Sequence, residues 1–238
     1  HTNSTSMTDW SLRNPKSFIN LFSAYSTRYW AELNSIVESR PNQGERVLMP
    51  LVSRHFDFLR SLASSSQLPV DPAALKASLS GSILLLGSAP VGPTTVKTIQ
   101  SHCGTLPTVR FGSTETCLQV MGTPFEKAPG QRLAAFERGW NHSYKGQPLT
   151  GYYIGRPHKG LTSVKVVRST ELGAEGYMVE CGDGEPGLLV TRGGNVMKGY
   201  ASEPEATKEA KREAEDGGLP WYVNLGDVCF AFNVEDGE

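Results

Sequence analysis

The sequence predicts an α/β protein in which a layer of parallel strands precedes a smaller β-rich subdomain. Between residues 82 and 111, two apolar runs flank a helical pattern, which is the arrangement of a parallel crossover unit. After residue 151, short apolar runs alternate with glycine turns, which is typical of small strands. We therefore expect a partial α/β sheet subdomain over residues 1–150 and a β-rich subdomain over residues 151–238.

The composition argues against several classes of partner. The chain has 238 residues and a formal net charge of −1, so we expect neither nucleic acid nor an anionic membrane surface as a partner. No apolar run reaches the ~18 residues of a membrane span. The cysteines follow no metal-binding or disulfide spacing, which favours a reducing compartment. They are Cys103, Cys117, Cys181 and Cys229.

The first part of the chain carries three helix predictions. Asn14 and Pro15 are typical of a helix start, and apolar residues recur from there at steps of three and four. This stripe consists of Phe18, Phe22, Tyr25, Tyr29, Leu33 and Ile36, and we expect it to pack into a core. A second helix is expected over residues 51–62, and a third from Asp71, as its N-cap, to about Leu79.

Two strands follow, with a helix between them. Residues 82–86 are nearly all apolar, which predicts a strand buried on both faces, and short polar loops bound it. A helix over residues 93–102 and a strand over residues 108–111 come next. Gly87 and Gly112 each begin a polar segment directly after a strand, where sheets of this type bind ligands.

The second part of the chain predicts less regular structure. Residues 126–146 have no clean period and indicate a surface insertion with a short helix over residues 132–138. Strands are expected at residues 164–167, 176–180, 187–191 and 227–232. Ser202 and Glu205 have the spacing of a capping box, which predicts a helix that runs to about Ala214.

The most informative segment is Arg110–Thr116, which reads Arg-Phe-Gly-Ser-Thr-Glu-Thr. Gly112 allows the backbone to turn sharply after the strand. The hydroxyl of Thr114 can donate a hydrogen bond to a phosphate oxygen, and Phe111 offers a ring face to a base. Glu115 is a hard oxygen ligand, and Mg²⁺ is usually held by one or two carboxylates together with substrate phosphates. The segment therefore predicts a site for a nucleotide phosphate and its metal.

Five motifs in a fixed order resemble the adenylate-forming superfamily, which comprises acyl-CoA synthetases, adenylation domains of peptide synthetases and beetle-type luciferases. They are Leu84–Pro90, Arg110–Thr116, Gly151–Pro157, Gly184–Tyr200 and Trp221–Asp227, with Pro204 and Thr207 between the last two. The resemblance extends from about residue 46 to residue 238.

The resemblance implies a role for individual residues. Phe111 would stack on adenine, Thr114 would contact the α-phosphate as a catalytic residue, and Glu115 would act in catalysis by binding Mg²⁺. Asp227 would hold the ribose hydroxyls, although Leu225 stands where the family usually has a threonine. The remaining expected nucleotide- and acyl-pocket residues are Gly87, Ser88, Ala89, Pro90, Arg110, Gly112 and Ser113.

The resemblance also implies a reaction. Such an enzyme joins a carboxylic acid to ATP as an acyl-adenylate and transfers the acyl group to CoA, so ATP or AMP, Mg²⁺ and CoA are the expected ligands. The family's phosphate loop and its later lysine-bearing domain have no counterpart in these residues. We therefore expect that the chain alone does not complete adenylation, and that it packs against further parts of the same polypeptide, another copy or a larger assembly. Two alternatives stay open: an inactive relative that serves as a structural or binding subunit, and an adenylation domain of a peptide synthetase.

Overall fold

The computed structural model describes residues 15–39, 46–124 and 126–232, with side chains from residue 27 onward. Two compact units are present. The first comprises the residues up to Leu85 together with Thr94–Pro107, and the second comprises Leu86–Pro93 together with the residues from Thr108 onward. The fold is mixed α/β, with one sheet that contains parallel strands and with further antiparallel sheets, as predicted. The predicted division at residue 150 stays a prediction.

The helices and strands have the following bounds. The helices are α1 (Pro15–Glu38), α2 (Ser53–Ser64), α3 (Pro72–Leu79), α4 (Pro93–Cys103), α5 (Pro129–Trp140) and α6 (Pro204–Glu209). The longer strands are β1 (Leu48–Leu51), β2 (Ile83–Leu86), β3 (Thr108–Phe111), β8 (Thr162–Val167) and β9 (Gly187–Gly193). The two-residue strands are β4 (Met121–Gly122), β5 (Ser143–Tyr144), β6 (Gln147–Pro148), β7 (Arg156–Pro157), β10 (Lys211–Arg212), β11 (Trp221–Tyr222) and β12 (Val228–Cys229).

Helix α1 begins at Pro15 as predicted, but its buried face differs from the predicted stripe. Trp30, Leu33, Asn34 and Val37 are buried, which is the i, i+3, i+4, i+7 pattern of a single helical face. Ile36 was expected in the core and is 58% exposed, because it lies beside that face rather than on it. The Asn14 cap lies outside the described residues, as do the side chains of Phe18, Phe22 and Tyr25.

The other elements of the first unit follow the sequence closely. The Asp71 carboxylate accepts hydrogen bonds from the backbone N–H groups of Ala73 and Ala74 at 3.0 Å, which caps α3 at the predicted residue. In β2, Leu84 and Leu86 are fully buried, while Ile83 and Leu85 are only half-buried. The expectation that this strand is buried on both faces was therefore wrong, because one of its faces has partial access to solvent.

The second unit is built around β9. Strand β9 pairs antiparallel with β8 along six residues, and also with β11 and β12. In a separate set of pairings, β4 joins β3 and β7, again antiparallel. Helix α5 begins before and ends after the predicted short helix over residues 132–138. Its last residue, Trp140, stacks on the completely buried Phe136 at a ring-centroid distance of 5.7 Å.

Three predictions for the second unit were wrong. Residues 176–180 form isolated bridges rather than a strand. Helix α6 ends at Glu209 rather than near Ala214, because Lys211 and Arg212 pair with Tyr222 and Trp221 as β10 and β11. The predicted capping box is also absent, since no side chain caps the start of the helix. The last strand is limited to Val228 and Cys229. Within the described ranges, no helix combines the length and the apolar character needed to cross a bilayer.

Candidate functional site

The predicted phosphate and metal turn is the connection between β3 and β4. These strands form a hairpin in which Arg110 lies opposite Gly122 and Phe111 lies opposite Met121. Residues Thr114–Thr116 form a single turn of 3₁₀ helix at the tip. The hairpin geometry holds the two polar side chains of interest, Thr114 and Glu115, on a short segment whose ends are fixed by strand pairing.

Gly112 is required by a close approach rather than by a left-handed conformation. A Cβ atom on Gly112 would lie 2.5 Å from the backbone nitrogen of Gln119 and 2.6 Å from the carbonyl carbon of Leu118. The left-handed residues of this turn are Cys117 and Leu118, with φ of 49° and 67°. The missing side chain of Gly112 thus allows the two ends of the turn to touch.

Hydrogen bonds within the turn hold its backbone. The backbone N–H of Ser113 donates to the hydroxyl oxygen of Thr116 at 2.8 Å, and this hydroxyl donates back to the Ser113 carbonyl at 3.1 Å. The same carbonyl accepts a hydrogen bond from the N–H of Leu118 at 2.7 Å. Thr116 is completely buried, so it fixes the turn, whereas Thr114 is exposed.

The loop after β9 contacts the turn from outside. The Asn195 amide donates to the carbonyls of Thr116 and Gln119 at 3.0 and 2.8 Å. The N–H of Met197 donates to the carbonyl of Glu115 at 2.7 Å. The buried Oδ1 of Asn195 has no hydrogen-bond partner among the described residues, so the amide is oriented by its two donor contacts. These bonds join segments that are about eighty residues apart in the sequence.

The Glu115 carboxylate is stabilised in its ionised form. Its own backbone N–H and the Ser113 hydroxyl lower the pKa of Glu115, with a further contribution from the Tyr200 hydroxyl, which donates to Oε1 at 3.3 Å. The side chain is half-buried. An ionised and accessible carboxylate is the donor that Mg²⁺ prefers.

A chain of hydroxyl groups continues from Glu115 into the second sheet. The Tyr200 and Tyr222 hydroxyl oxygens lie 3.2 Å apart, and the Tyr222 hydroxyl donates to the carbonyl of Asn224 at 3.1 Å. Tyr222 is 1% exposed, and burial, followed by its contact with Tyr200 and the nearby Glu115 charge, raises the pKa of its phenol. Asn224 is three positions before Asp227. This series of hydroxyl groups therefore connects the predicted metal ligand to the segment of the predicted ribose ligand.

Two predicted ligand residues have side chains without internal partners. Within the described residues, the Thr114 hydroxyl and the Asp227 carboxyl make no hydrogen bond or ion pair to another side chain or to the backbone. Reduced hydration raises the pKa of the Asp227 carboxyl, although the residue as a whole is exposed. Both side chains are therefore available to a ligand.

The region offers one carboxylate for a metal ion, which suits a metal ion that a nucleotide phosphate also binds. Across the described ranges, no three His, Cys, Asp or Glu side chains are grouped closely enough to hold a metal ion. A single carboxylate completed by phosphate oxygens is the usual arrangement for nucleotide-bound Mg²⁺. Glu115 can supply that carboxylate.

Packing brings further predicted residues to this region. Phe111 and Leu225 are partly buried against the same apolar cluster, which also includes Cys229. The strand before the turn and the segment around Asp227 therefore share a core.

The loop after β2 meets the base of the hairpin. A Cβ atom on Gly87 would lie 2.9 Å from Cγ of Arg110, which explains the glycine at that position. Ser88 is left-handed, with φ of 67°. The loop that contains the remaining predicted residues, Ala89 and Pro90, thus lies beside the first residue of the motif.

Sequence reasoning missed three residues of the site. Asn195, Tyr200 and Tyr222 lie within the matched motifs, but no ligand or positioning role was predicted for them from the sequence. Their positions in this region depend on contacts between residues far apart in the sequence. The sequence signal for these contacts was that all three residues lie in motifs shared with the family. Tyr200 also lines an open groove of about 580 Å³ with Ala201, Glu203, Ala206, Glu209 and Asn224. Neither Glu115 nor Asp227 lines that groove.

The fold resembles that of large ligases, each similar to this chain at low sequence identity. A long-chain-fatty-acid–CoA ligase from Archaeoglobus fulgidus is 24% identical, with a TM-score of 0.54 over 78% of this chain and 32% of that one. A malonyl-CoA ligase with methylmalonyl-CoA and AMP bound is 21% identical, with a TM-score of 0.54 over 88% and 34%. The adenylation domain of a keto acid-selecting NRPS module, bound to a keto acyl adenylate, is 16% identical, with a TM-score of 0.58 over 89% and 36%.

The chain thus spans about a third of the length of these enzymes. No curated protein sequence matches it significantly. A family model does match: the AMP-binding enzyme model covers residues 42–201, which is more than half of the 238 residues and includes the turn at Thr114 and Glu115. The chain belongs to the AMP-binding enzyme family.

Proposed function

We propose that this chain forms the nucleotide-binding part of an acyl-CoA synthetase-like, AMP-forming ligase. The enzyme would activate a carboxylic acid with ATP, release pyrophosphate and transfer the acyl group to CoA. The observation that carries the proposal is the turn at Thr114 and Glu115. It offers an unpaired hydroxyl beside an ionised carboxylate on a backbone that Thr116, Asn195 and Met197 hold in place.

The turn would act by electrostatic stabilisation of the reacting phosphate. The Thr114 hydroxyl is free to donate to an α-phosphate oxygen, where charge accumulates as the carboxylate attacks. Glu115 would hold Mg²⁺, which neutralises phosphate charge when it is bound. Because the turn is fixed before ligand binds, little reorganisation is needed during the reaction.

The other predicted residues would bind the nucleoside and the acid. Phe111 would stack on adenine, and the unpaired Asp227 carboxylate would accept hydrogen bonds from the two ribose hydroxyls. The loop Gly87–Pro90, which lies beside Arg110, would line the adenine and acyl pockets.

The test combines nucleotide binding with exchange of labelled pyrophosphate into ATP. Titration of the protein with ATP in the presence of Mg²⁺ should show saturable binding. Glu115→Gln should remove the Mg²⁺-dependent part of the affinity, and Asp227→Asn should weaken binding of ATP with or without Mg²⁺. Because the chain alone is not expected to complete adenylation, pyrophosphate exchange and acyl transfer are measured on the longer polypeptide or the assembly that contains it. The acids are long-chain, malonate-type and keto acids, the three classes represented among the similar structures.

The outcomes separate this proposal from its alternatives. Transfer of the activated acyl group to CoA supports the synthetase, whereas transfer to a carrier protein alone supports an adenylation domain. Absence of ATP binding by the wild-type protein overturns the proposal in favour of a structural or binding subunit.

We also propose that further protein covers part of the second unit. Leu161, Leu172 and Val228 are 72%, 69% and 69% exposed, so a covering surface would remove their apolar area from water. The covering part would come from the same polypeptide, a second copy or a larger assembly. Measurement of the molar mass by light scattering across a concentration series distinguishes self-association from the other two.

A further inference from the structure

Tyr200 connects two parts of the site that would hold different parts of a nucleotide. Its hydroxyl lies 3.3 Å from Oε1 of Glu115 and 3.2 Å from the hydroxyl of Tyr222. Tyr222 in turn reaches the carbonyl of Asn224 at 3.1 Å, three positions before Asp227. One phenol therefore lies between the proposed metal ligand and the segment of the proposed ribose ligand.

The series of oxygen contacts from Glu115 to Asn224 contains fewer hydroxyl protons than contacts. Each tyrosine hydroxyl carries one proton, so two protons serve three oxygen–oxygen contacts. The Glu115 carboxylate and the Asn224 carbonyl can only accept. At any moment, one of the three contacts has no hydrogen bond.

The ligand state of Glu115 decides which contact is left without a proton. Without a cation, the ionised carboxylate attracts the Tyr200 proton, and Tyr222 divides its own proton between Tyr200 and Asn224. A divalent cation on Glu115 withdraws electron density from the carboxylate oxygens. The Tyr200 proton then turns to Tyr222, and the proton of the buried Tyr222, which has no access to solvent, is left to Asn224.

We propose that Tyr200 is a positioning residue that couples cation binding at Glu115 to the segment Asn224–Asp227 through the hydroxyl of Tyr222. Metal binding strengthens the hydrogen bond from Tyr222 to Asn224 and so fixes the carboxylate of Asp227 for the ribose. The inference rests on the proposed function, since it assigns a cation to Glu115 and a ribose to Asp227.

The test measures ATP affinity with Mg²⁺ and with EDTA for a set of single-atom variants. Tyr200→Phe keeps the ring and removes the hydroxyl. It should weaken ATP binding in Mg²⁺ by up to about tenfold, the size of the neutral hydrogen bond between Tyr200 and Tyr222 that is lost, and leave binding in EDTA unchanged. Tyr177→Phe is the matched control, because Tyr177 is half-buried and its hydroxyl makes no hydrogen bond among the described residues. It should change neither affinity.

A double-mutant cycle tests the coupling itself. Asp227→Asn should cost less in the Tyr200→Phe background than in the wild type when Mg²⁺ is present, because the connection has already been removed. Tyr222→Phe removes the middle hydroxyl and leaves the contact between Tyr200 and Glu115. It should abolish the same non-additivity with a smaller loss of affinity, and it serves as the second variant if Tyr200→Phe does not fold.

The failure of this inference is distinguishable from that of the proposed function. If Glu115→Gln removes the Mg²⁺-dependent affinity while Tyr200→Phe behaves like Tyr177→Phe, only the role of Tyr200 is overturned. Fully additive effects of Tyr200→Phe and Asp227→Asn overturn the coupling. If Glu115→Gln has no effect on ATP binding in Mg²⁺, both proposals are overturned.

Discussion

Gly112→Ala should damage the site by separating the two ends of the turn. The added Cβ would lie 2.5 Å from the nitrogen of Gln119, whereas ordinary contacts begin at 3.4 Å, so the backbone must open by about 0.9 Å. Over-packing of this kind typically costs about 1–3 kcal/mol. For a protein of this size, the melting temperature should fall by roughly 2–4 °C for each kcal/mol.

The functional loss should exceed the loss of stability. A displacement of about 1 Å in an active site can lower catalytic efficiency by about a hundredfold. We expect a marked loss of ATP affinity in Mg²⁺ as well, because Thr114 and Glu115 would no longer face the phosphate correctly. Calorimetry and titration with ATP and Mg²⁺ measure the two effects. Gly130→Ala is the control, since a Cβ on Gly130 would meet no atom within 4 Å. The same melting temperature and ATP affinity in both variants would refute the close-approach argument.

Two further predictions concern Asp227 and Phe136. The pKa of Asp227 is raised in the folded chain, so the unfolded chain releases this proton first as pH rises, and ionisation lowers stability at neutral pH. Asp227→Asn should therefore raise the melting temperature at pH 7 while it weakens ATP binding. The stabilisation should fade as the pH is lowered through the folded pKa and be absent at about pH 3, where the carboxyl is protonated in both states; a lower melting temperature at pH 7 would contradict this. Phe136→Ala should lower the free energy of unfolding by about 3–5 kcal/mol in denaturant titrations, because the ring is fully buried between Trp140 and Tyr153. Leu172→Ala, at a site that is 69% exposed, should change it by less than about 0.5 kcal/mol, and an equal loss in both variants would show that α5 is not anchored by Phe136.

The parts of the fold that sequence predicts well are those decided by neighbouring residues. Asp71 caps α3 because its carboxylate reaches backbone groups only two and three positions away. The strand over residues 108–111 was placed correctly because an apolar run ends at a glycine. The helix expected to reach Ala214 was wrong for the opposite reason. Its last turn is replaced by the pairing of Lys211 and Arg212 with Tyr222 and Trp221, about ten residues further along, which local helix propensity does not report.

The same distinction applies to the site. The turn could be predicted as a candidate site because Phe111, Thr114 and Glu115 lie within five consecutive positions and are chemically suited to a nucleotide. The residues that hold the turn from outside could not be predicted. Asn195 and Tyr200 are separated from their partners Thr116 and Glu115 by 79 and 85 positions. Nothing in a single sequence states which of the chain's eight tyrosines faces the carboxylate.

The hydrogen bonds from Thr116, Asn195 and Met197 explain how the irregular turn at Thr114 and Glu115 can be rigid. Cys117 and Leu118 are both left-handed, a conformation that costs roughly 1–2 kcal/mol for each residue with a Cβ. Such a turn persists only when its surroundings hold it, and backbone strain of this kind is concentrated at functional sites. Here the hydroxyl of Thr116 holds it from within, and the loop that contains Asn195 and Met197 holds it from outside. The Thr114 side chain is then directed by the backbone, and that of Glu115 by the backbone together with the hydroxyls of Ser113 and Tyr200. A turn held in this way before ligand binds is what a preorganised phosphate site requires.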